Sequence, residues 1–191
     1  MAMKHIIFKI LGIIVCLFFV ITIIPSKAQL QTLKEGDVIF QISKSKQSPL
    51  VAFATMSNKT HCGIIVEKDS KLYVLETLGT IKLTPIQTFI NRGLFKKYWI
   101  KRGINKPINY QKYLGIPYDL SFTFNNGKYY CSELVYTIYL EQFGIQLCTP
   151  KQVNQYNTLG LTEHMVRRGI NLEQCVVAPS DLFKSKYLKR L

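Results

Sequence analysis

The chain has 191 residues, 25 of them Lys or Arg against 11 Asp or Glu, for a formal charge of +14, and 48% of it is hydrophobic. The basic residues stand as separated pairs (Lys96-Lys97, Lys101-Arg102, Arg167-Arg168) and in a basic end, residues 184–190. No dense run is interleaved with stacking aromatics, which excludes the nucleic-acid platform that such a charge would otherwise suggest, and there is no internal repeat or low-complexity linker.

From the start, residues 1–25 combine a short basic stretch (Lys4, Lys9) with an almost unbroken apolar run, residues 10–24, and Ser26-Lys27-Ala28 then presents small residues where a signal peptidase reads. This is the pattern of a secretory signal over residues 1–28, cleaved after Ala28. Counted from Ile6, the apolar run also approaches the length that spans a bilayer, so an uncleaved anchor stays open. Lipid attachment at Cys16 fits poorly, because bulky Val15 precedes it. Each reading places the working part outside the cytoplasm, in the periplasm or outer envelope. Cleavage leaves residues 29–191, enough for one domain with its own core, and removes three lysines and no acid. For an exported protein the remaining charge suits anionic lipid, lipopolysaccharide or wall polymer; a solvated basic surface without a partner explains it as well. Oligomeric state carries no sequence signal.

Cys62, Cys131, Cys148 and Cys175 remain after the leader. Their wide, irregular spacing without a C-x-x-C gives neither a disulfide framework nor a zinc knuckle. A metal site using both His61 and Cys62 is opposed by strand geometry, where neighbours point to opposite faces, so only one of the two is expected to face a site. No metal and no cofactor is signalled.

Residues 36–42 form a β-rich run after a turn signal, and residues 61–67 and 71–77 read as a hairpin joined by Lys68-Asp69-Ser70. Residues 81–84 start another strand, Pro85 opens a short helix through Asn91, and residues 97–101 are a further strand. Asn126-Gly127 marks a turn. After it, Cys131 is followed by Leu134, Val135 and Ile138 at the spacing of one helical face, with Gly144 as the stop. The whole reads as one α+β domain.

Cys131 thus belongs in the first turn of a helix, where free backbone N–H groups and the positive end of the dipole favour thiolate and suit an oxyanion. An inert core cysteine on an apolar face is the competing reading. A nucleophilic cysteine needs a base, and the base needs an orienting acceptor. His61 stands at the head of an apolar strand, while His164 has no partner and defaults to the surface. A turn centred on residues 68 and 69 sets Glu76 directly opposite His61, at the cross-strand Cβ separation of about 4.5–5.5 Å where a carboxylate can hold an imidazole.

In order along the chain, G-D-V-I-F-Q (residues 36–41), T-H-C-G-I-I (60–65), V-L-E-T (74–77), G-I-P-Y-D (115–119) and Y-Y-C-S-E-L-V (129–135) resemble the YiiX-like branch of the permuted NlpC/P60 papain-like hydrolases. The resemblance covers residues 36–144. It implies a circularly permuted papain-like fold, an antiparallel sheet packed against helices, with Cys131 as nucleophile at a helix N-terminus, His61 as general base and Glu76 as the orienting third residue. It also accounts for histidine preceding cysteine. By the same resemblance the loop with Tyr118 and Asp119 lines the substrate cleft, Tyr118 bonding the reacting carbonyl or the leaving group. Gln41 is a further cleft candidate. A turn tyrosine packed on the sheet and an ordinary strand glutamine are the plain alternatives. Cys62 departs from the aliphatic residue more common at its position, and a buried thiol packs as a small hydrophobe. The implied function is a cell-envelope cysteine hydrolase of amide bonds in small or wall-derived peptides, needing no cofactor. Hydrolysis or transfer of lipid acyl groups and a non-catalytic cleft-binding module are the alternatives; intact Cys131, His61 and Glu76 argue against the last.

Overall fold

The hairpin expected at residues 61–77 is the centre of the sheet. In the computed structural model, which describes residues 30–191, β2 (His61–Lys68) and β3 (Lys71–Leu78) pair antiparallel. The expected signal segment, its cleavage point and Cys16 lie outside the described residues. The turn is Asp69-Ser70, both with left-handed φ, 50° and 57°, the two-residue turn whose twist matches paired strands. With Lys68 facing Lys71, the register runs to Ile64 opposite Leu75; carried one residue further, it sets Glu76 against Gly63. The expected direct pairing of Glu76 with His61 is therefore two residues off, because the turn occupies positions 69 and 70 and not 68 and 69. The two side chains still share a face, since the pleat alternates with period 2.

β1 (Val38–Gln41) lies along the other side of β2, with Gln41 opposite His61. β4 (Thr80–Pro85) flanks β3, and β5 (Tyr98–Arg102) flanks β1. β6 (Lys151–Gln152) and β7 (Cys175–Val176) make a separate ribbon, and β8 (Lys189–Arg190) closes the main sheet in the order β4-β3-β2-β1-β5-β8, antiparallel throughout. The segment carrying G-I-P-Y-D is bonded along β4: Gly115 N–H donates to Ile81 O at 2.9 Å, Ile81 N–H to Ile116 O at 2.8 Å, and Tyr118 N–H to Gly79 O at 2.9 Å.

Of the described helices, α1 (Ser48–Thr55) follows β1, α2 (Ile86–Arg92) follows β4, α3 (Cys131–Phe143) is the longest, and α4 (Thr162–Arg167) and α5 (Pro179–Phe183) are short. α3 covers one face of the sheet: Leu134, Val135 and Ile138 are fully buried with Phe40, Cys62, Ile64 and Leu75, each such side chain contributing about 1.5–3 kcal/mol. Gly144 ends the helix at φ 66°, its N–H returning to Leu140 O, the left-handed stop that glycine adopts without strain. By alternation, Ile39, Ile65 and Val74 face the other way, where α2 buries Phe89 and Ile90. A smaller apolar cluster joins Val153, Met165 and Ile170 to Leu50 and Ala54 of α1. Residues Thr32–Leu191 make one compact unit. No described helix is long and apolar enough to cross a membrane.

Candidate active site

Cys131 is the first residue of α3, and the turn before it is tied down from several sides. Tyr130 is extended (φ −95°, ψ 169°), and its N–H donates to Glu133 Oε2 at 3.4 Å. Val177 N–H donates to the Tyr130 hydroxyl at 3.0 Å, and Ser132 Oγ–H donates to Val177 O at 2.6 Å. The helix start is thus locked to the chain leading into α5. The thiol is buried at the positive end of the helix.

His61 and Glu76 meet diagonally. The imidazole Nε2 lies 2.6 Å from Glu76 Oε2, which leaves Nδ1 for the thiol. A diagonal pair of this kind is within reach of long side chains, and Gly63 makes the room: a Cβ there would come within 3.3 Å of the Glu76 Cβ and 2.4 Å of Val74 Cγ1. α2 supplies two further parts that no sequence pattern announced. Arg92, its last residue, donates to Glu76 Oε1 at 2.7 Å and Oε2 at 2.5 Å, and the Phe89 ring stacks on the imidazole with centroids 5.7 Å apart.

As expected, only one of His61 and Cys62 faces the cavity: His61 lines it, whereas Cys62 is buried in the core under α3. Cys131 nevertheless touches both, since it lies where the β2–β3 ladder has ended at Ile64 and Leu75 and β2 is paired with β1 alone. The Cys62 thiol, the Cys62 backbone N–H and the His61 imidazole each hydrogen-bond the Cys131 sulfur.

The charges follow from this packing. The Cys131 thiol is held well below its ordinary range by the Cys62 thiol beside it and, against the cost of burial, by the charge and hydrogen bond of His61. Burial opposes charging His61, but the Cys131 thiolate and the Glu76 carboxylate outweigh it and raise the imidazole to about 9. Burial also opposes charge on Glu76, yet the hydrogen bonds of His61 and Arg92 bring it down to about 2. Burial pushes Cys62 well up, so it stays a neutral thiol. Both shifts favour a thiolate beside an imidazolium, the ring held by the Glu76 carboxylate and that carboxylate by the Arg92 guanidinium.

Cys131 and His61 open on a cavity of about 510 Å³. Tyr118 lines it, with its hydroxyl donating to Gln47 Oε1 at 3.3 Å. Asp119 does not: its carboxylate is spent on Ser121 N–H at 2.9 Å, Ser121 Oγ–H at 2.6 Å and Thr123 N–H at 2.6 Å, and so shapes the loop behind Tyr118. Gln41 is also absent from the lining; it is buried behind the sheet end, its Oε1 against Gly93. His164 is exposed on α4, and Cys62, Cys131, Cys148 and Cys175 are all free thiols. Much of the lining is apolar, from α1 (Leu50, Val51, Ala54) and from Phe122, Met165 and Ile170; Ser43, Ser45, Gln47, Thr60 and Thr77 add hydroxyls and an amide, and Lys46 is the one Lys, Arg, Asp or Glu among the lining residues.

A family model described as permuted papain-like amidase enzyme, YaeF/YiiX, matches residues 32–191. The uncharacterized protein YiiX of Escherichia coli (strain K12) is 31% identical over 167 residues, spanning 80% of this chain and 83% of that protein. A crystal structure described as metalloprotein yiiX from Escherichia coli O157:H7 is similar with a TM-score of 0.75 at 31% identity, covering 83% of this chain and 96% of that one. In the present chain, no group of three or more His, Cys, Asp or Glu that could hold a metal ion occurs among the described residues.

Proposed function

Since the chain belongs to the permuted papain-like amidases of the YaeF/YiiX type and is an enzyme of the cysteine-peptidase kind, we propose that it hydrolyses amide bonds of small or wall-derived peptides in the cell envelope, with Cys131 as nucleophile, His61 as base and Glu76 as orienting residue. The observation that carries this reading is the unbroken chain from Arg92 through Glu76 to His61, ending at a thiol held as thiolate.

In this mechanism a sulfur lone pair of Cys131 attacks the carbonyl carbon, and the C=O π pair moves to oxygen. Backbone N–H groups at the start of α3 receive the oxyanion, and Tyr118, which lines the cavity, leaves Gln47 to bond the carbonyl or the leaving group. The imidazolium Nδ1–H protonates the amine as the C–N bond breaks, leaving a thioester. Neutral His61 then takes a proton from water, whose oxygen attacks the thioester; the C–S bond breaks, and the acid leaves. Glu76 keeps the ring oriented and compensates its charge through both steps.

A second reading, hydrolysis or transfer of lipid acyl groups by the same thiol, is favoured by the largely apolar cavity, in which Lys46 is the one Lys, Arg, Asp or Glu.

Turnover of a panel of peptide amides and acyl lipids by three variants tests the reading. Cys131→Ala and His61→Ala should each remove most activity, by about 10⁴-fold or more, and their combination should be scarcely worse, since groups that act as a unit fail together. Glu76→Gln should lose on the order of 10 to 10³-fold. At pH 6 a thiol-alkylating reagent should label Cys131 ahead of Cys62 and Cys148, both raised by burial. A Cys131→Ala protein that turns substrate over near the wild-type rate sinks the proposal.

A further inference from the structure

Helix α1 does not match its surroundings. Its sequence, S-P-L-V-A-F-A-T, carries no charge, and of its residues only Ser48 is fully buried. Phe53 is 44% exposed, and Met56, which caps the helix, is 77% exposed. A helix apolar all round is normally enclosed, and contiguous apolar surface left in the open marks an interaction site. The patch extends beyond α1: Asn157 N–H donates to Ala54 O at 2.9 Å, and Leu159, two residues on, is 80% exposed.

The charge around it has one sign. Lys44 and Lys46 precede the helix, and no Asp or Glu occurs between Asp37 and Glu67; Lys59, after it, is turned onto the Trp99 and Phe183 rings. Lys44 and Lys46 are exposed. The inner side of the same helix, Leu50, Val51 and Ala54, lines the cavity that holds Cys131.

We propose that α1, with Phe53, Met56 and Leu159, seats in the interfacial layer of an anionic lipid bilayer. Eight residues rise about 12 Å, far short of the roughly 30 Å hydrocarbon core, so the helix lies in the plane of the interface. Its apolar side chains sit below the headgroups, and the exposed Lys44 and Lys46 lie among the phosphates. The seat brings one wall of the Cys131 cavity against the bilayer, whichever bond the thiol cleaves.

The test uses the full chain bound to vesicles of phosphatidylethanolamine and phosphatidylglycerol whose acyl chains carry bromine, a contact quencher of tryptophan. The chain has one tryptophan, Trp99, so a Trp99→Phe, Phe53→Trp protein reports on α1 alone and the wild type on β5. The Phe53→Trp reporter should shift to the blue and be quenched more strongly than Trp99, and Lys44→Glu with Lys46→Glu should weaken that quenching. An unquenched reporter in vesicle-bound protein overturns the proposal. So does a blue shift that appears without lipid and grows with protein concentration, which assigns the patch to a second copy of the chain. A second measurement avoids moving the tryptophan. Phe53→Glu with Met56→Glu should leave hydrolysis of a soluble substrate unchanged and slow attack on a vesicle-embedded one about tenfold, the worth of one buried aromatic side chain; equal loss on both substrates overturns the proposal as well.

Discussion

Arg92 holds both carboxylate oxygens of Glu76, at 2.7 and 2.5 Å, and Glu76 has no exposure to water. A buried carboxylate with a single imidazole partner would be poorly compensated, so the guanidinium sets how far the acid range of the site extends. Glu76 is brought to about 2, below its unfolded value, so its contribution to stability is full above about 4.5 and is lost as pH falls toward 2. Arg92→Met should move the acid limb of the kcat/KM profile upward and lower kcat about 10- to 100-fold with KM little changed. Arg92→Lys should recover only part of this, because an ammonium cannot reproduce the two-oxygen fork. A pH–rate profile of the two variants decides it; an unmoved acid limb in Arg92→Met removes Arg92 from the site. Nothing in the sequence separates Arg92 from the other Lys and Arg, because its role depends on α2 folding back over β3.

At the scale of elements, the hairpin β2–β3 fixes the site through two small features, its turn and its glycine. Asp69 and Ser70 both hold φ near 50–57°, where an L side chain is strained and glycine is not. Ser70→Gly should raise stability by about 0.5–1 kcal/mol, seen as a higher denaturation midpoint at unchanged activity. Gly63→Ala should do the reverse: its Cβ would meet Val74 Cγ1 at 2.4 Å and Leu75 O at 2.8 Å, an overpacking that costs about 1–3 kcal/mol, and it would push Glu76 off His61. Loss of activity beyond the loss of folded protein is the expected signature. These elements also show what the sequence could and could not tell. β-rich runs bounded by turn signals locate β1 to β5, and the apolar stripe with Gly144 locates α3, because those patterns reflect burial on one face. The register differs by two residues from the expected one, since Lys68-Asp69-Ser70 permits two turn placements and period-2 alternation cannot separate them. α1, α4, α5 and the short strands β6 to β8 left no pattern, being too short for periodicity and held by contacts distant in sequence. Cys131, His61 and Tyr118 meet at one cavity with Glu76 buried behind His61, whereas Asp119 is spent on its own loop and Gln41, level with His61 on β1, is buried against Gly93.

For the molecule as a whole, Glu133 couples the site to stability. It lies two residues after Cys131, is almost fully buried, and burial with the nearby Asp119 charge raises it to about 8. A carboxyl raised above its unfolded value stabilises fully below about 4.5, and that contribution is lost as pH rises through 8. Wild-type stability should therefore fall between pH 5 and 8, and Glu133→Gln should flatten that fall; denaturant midpoints at the two pH values measure it, and parallel curves would exclude Glu133 as the cause. The sheet itself carries a consequence for how the protein keeps to itself. Unpaired strand edges recruit other chains, and here both are guarded: β8 is two residues long, both cations, and β4 is occupied by residues 115–118. The same segment presents Tyr118 to the cavity. A change that lifts it would bare a strand edge and disarm the cleft in one event, so that inactive protein of this kind would also be protein prone to aggregate.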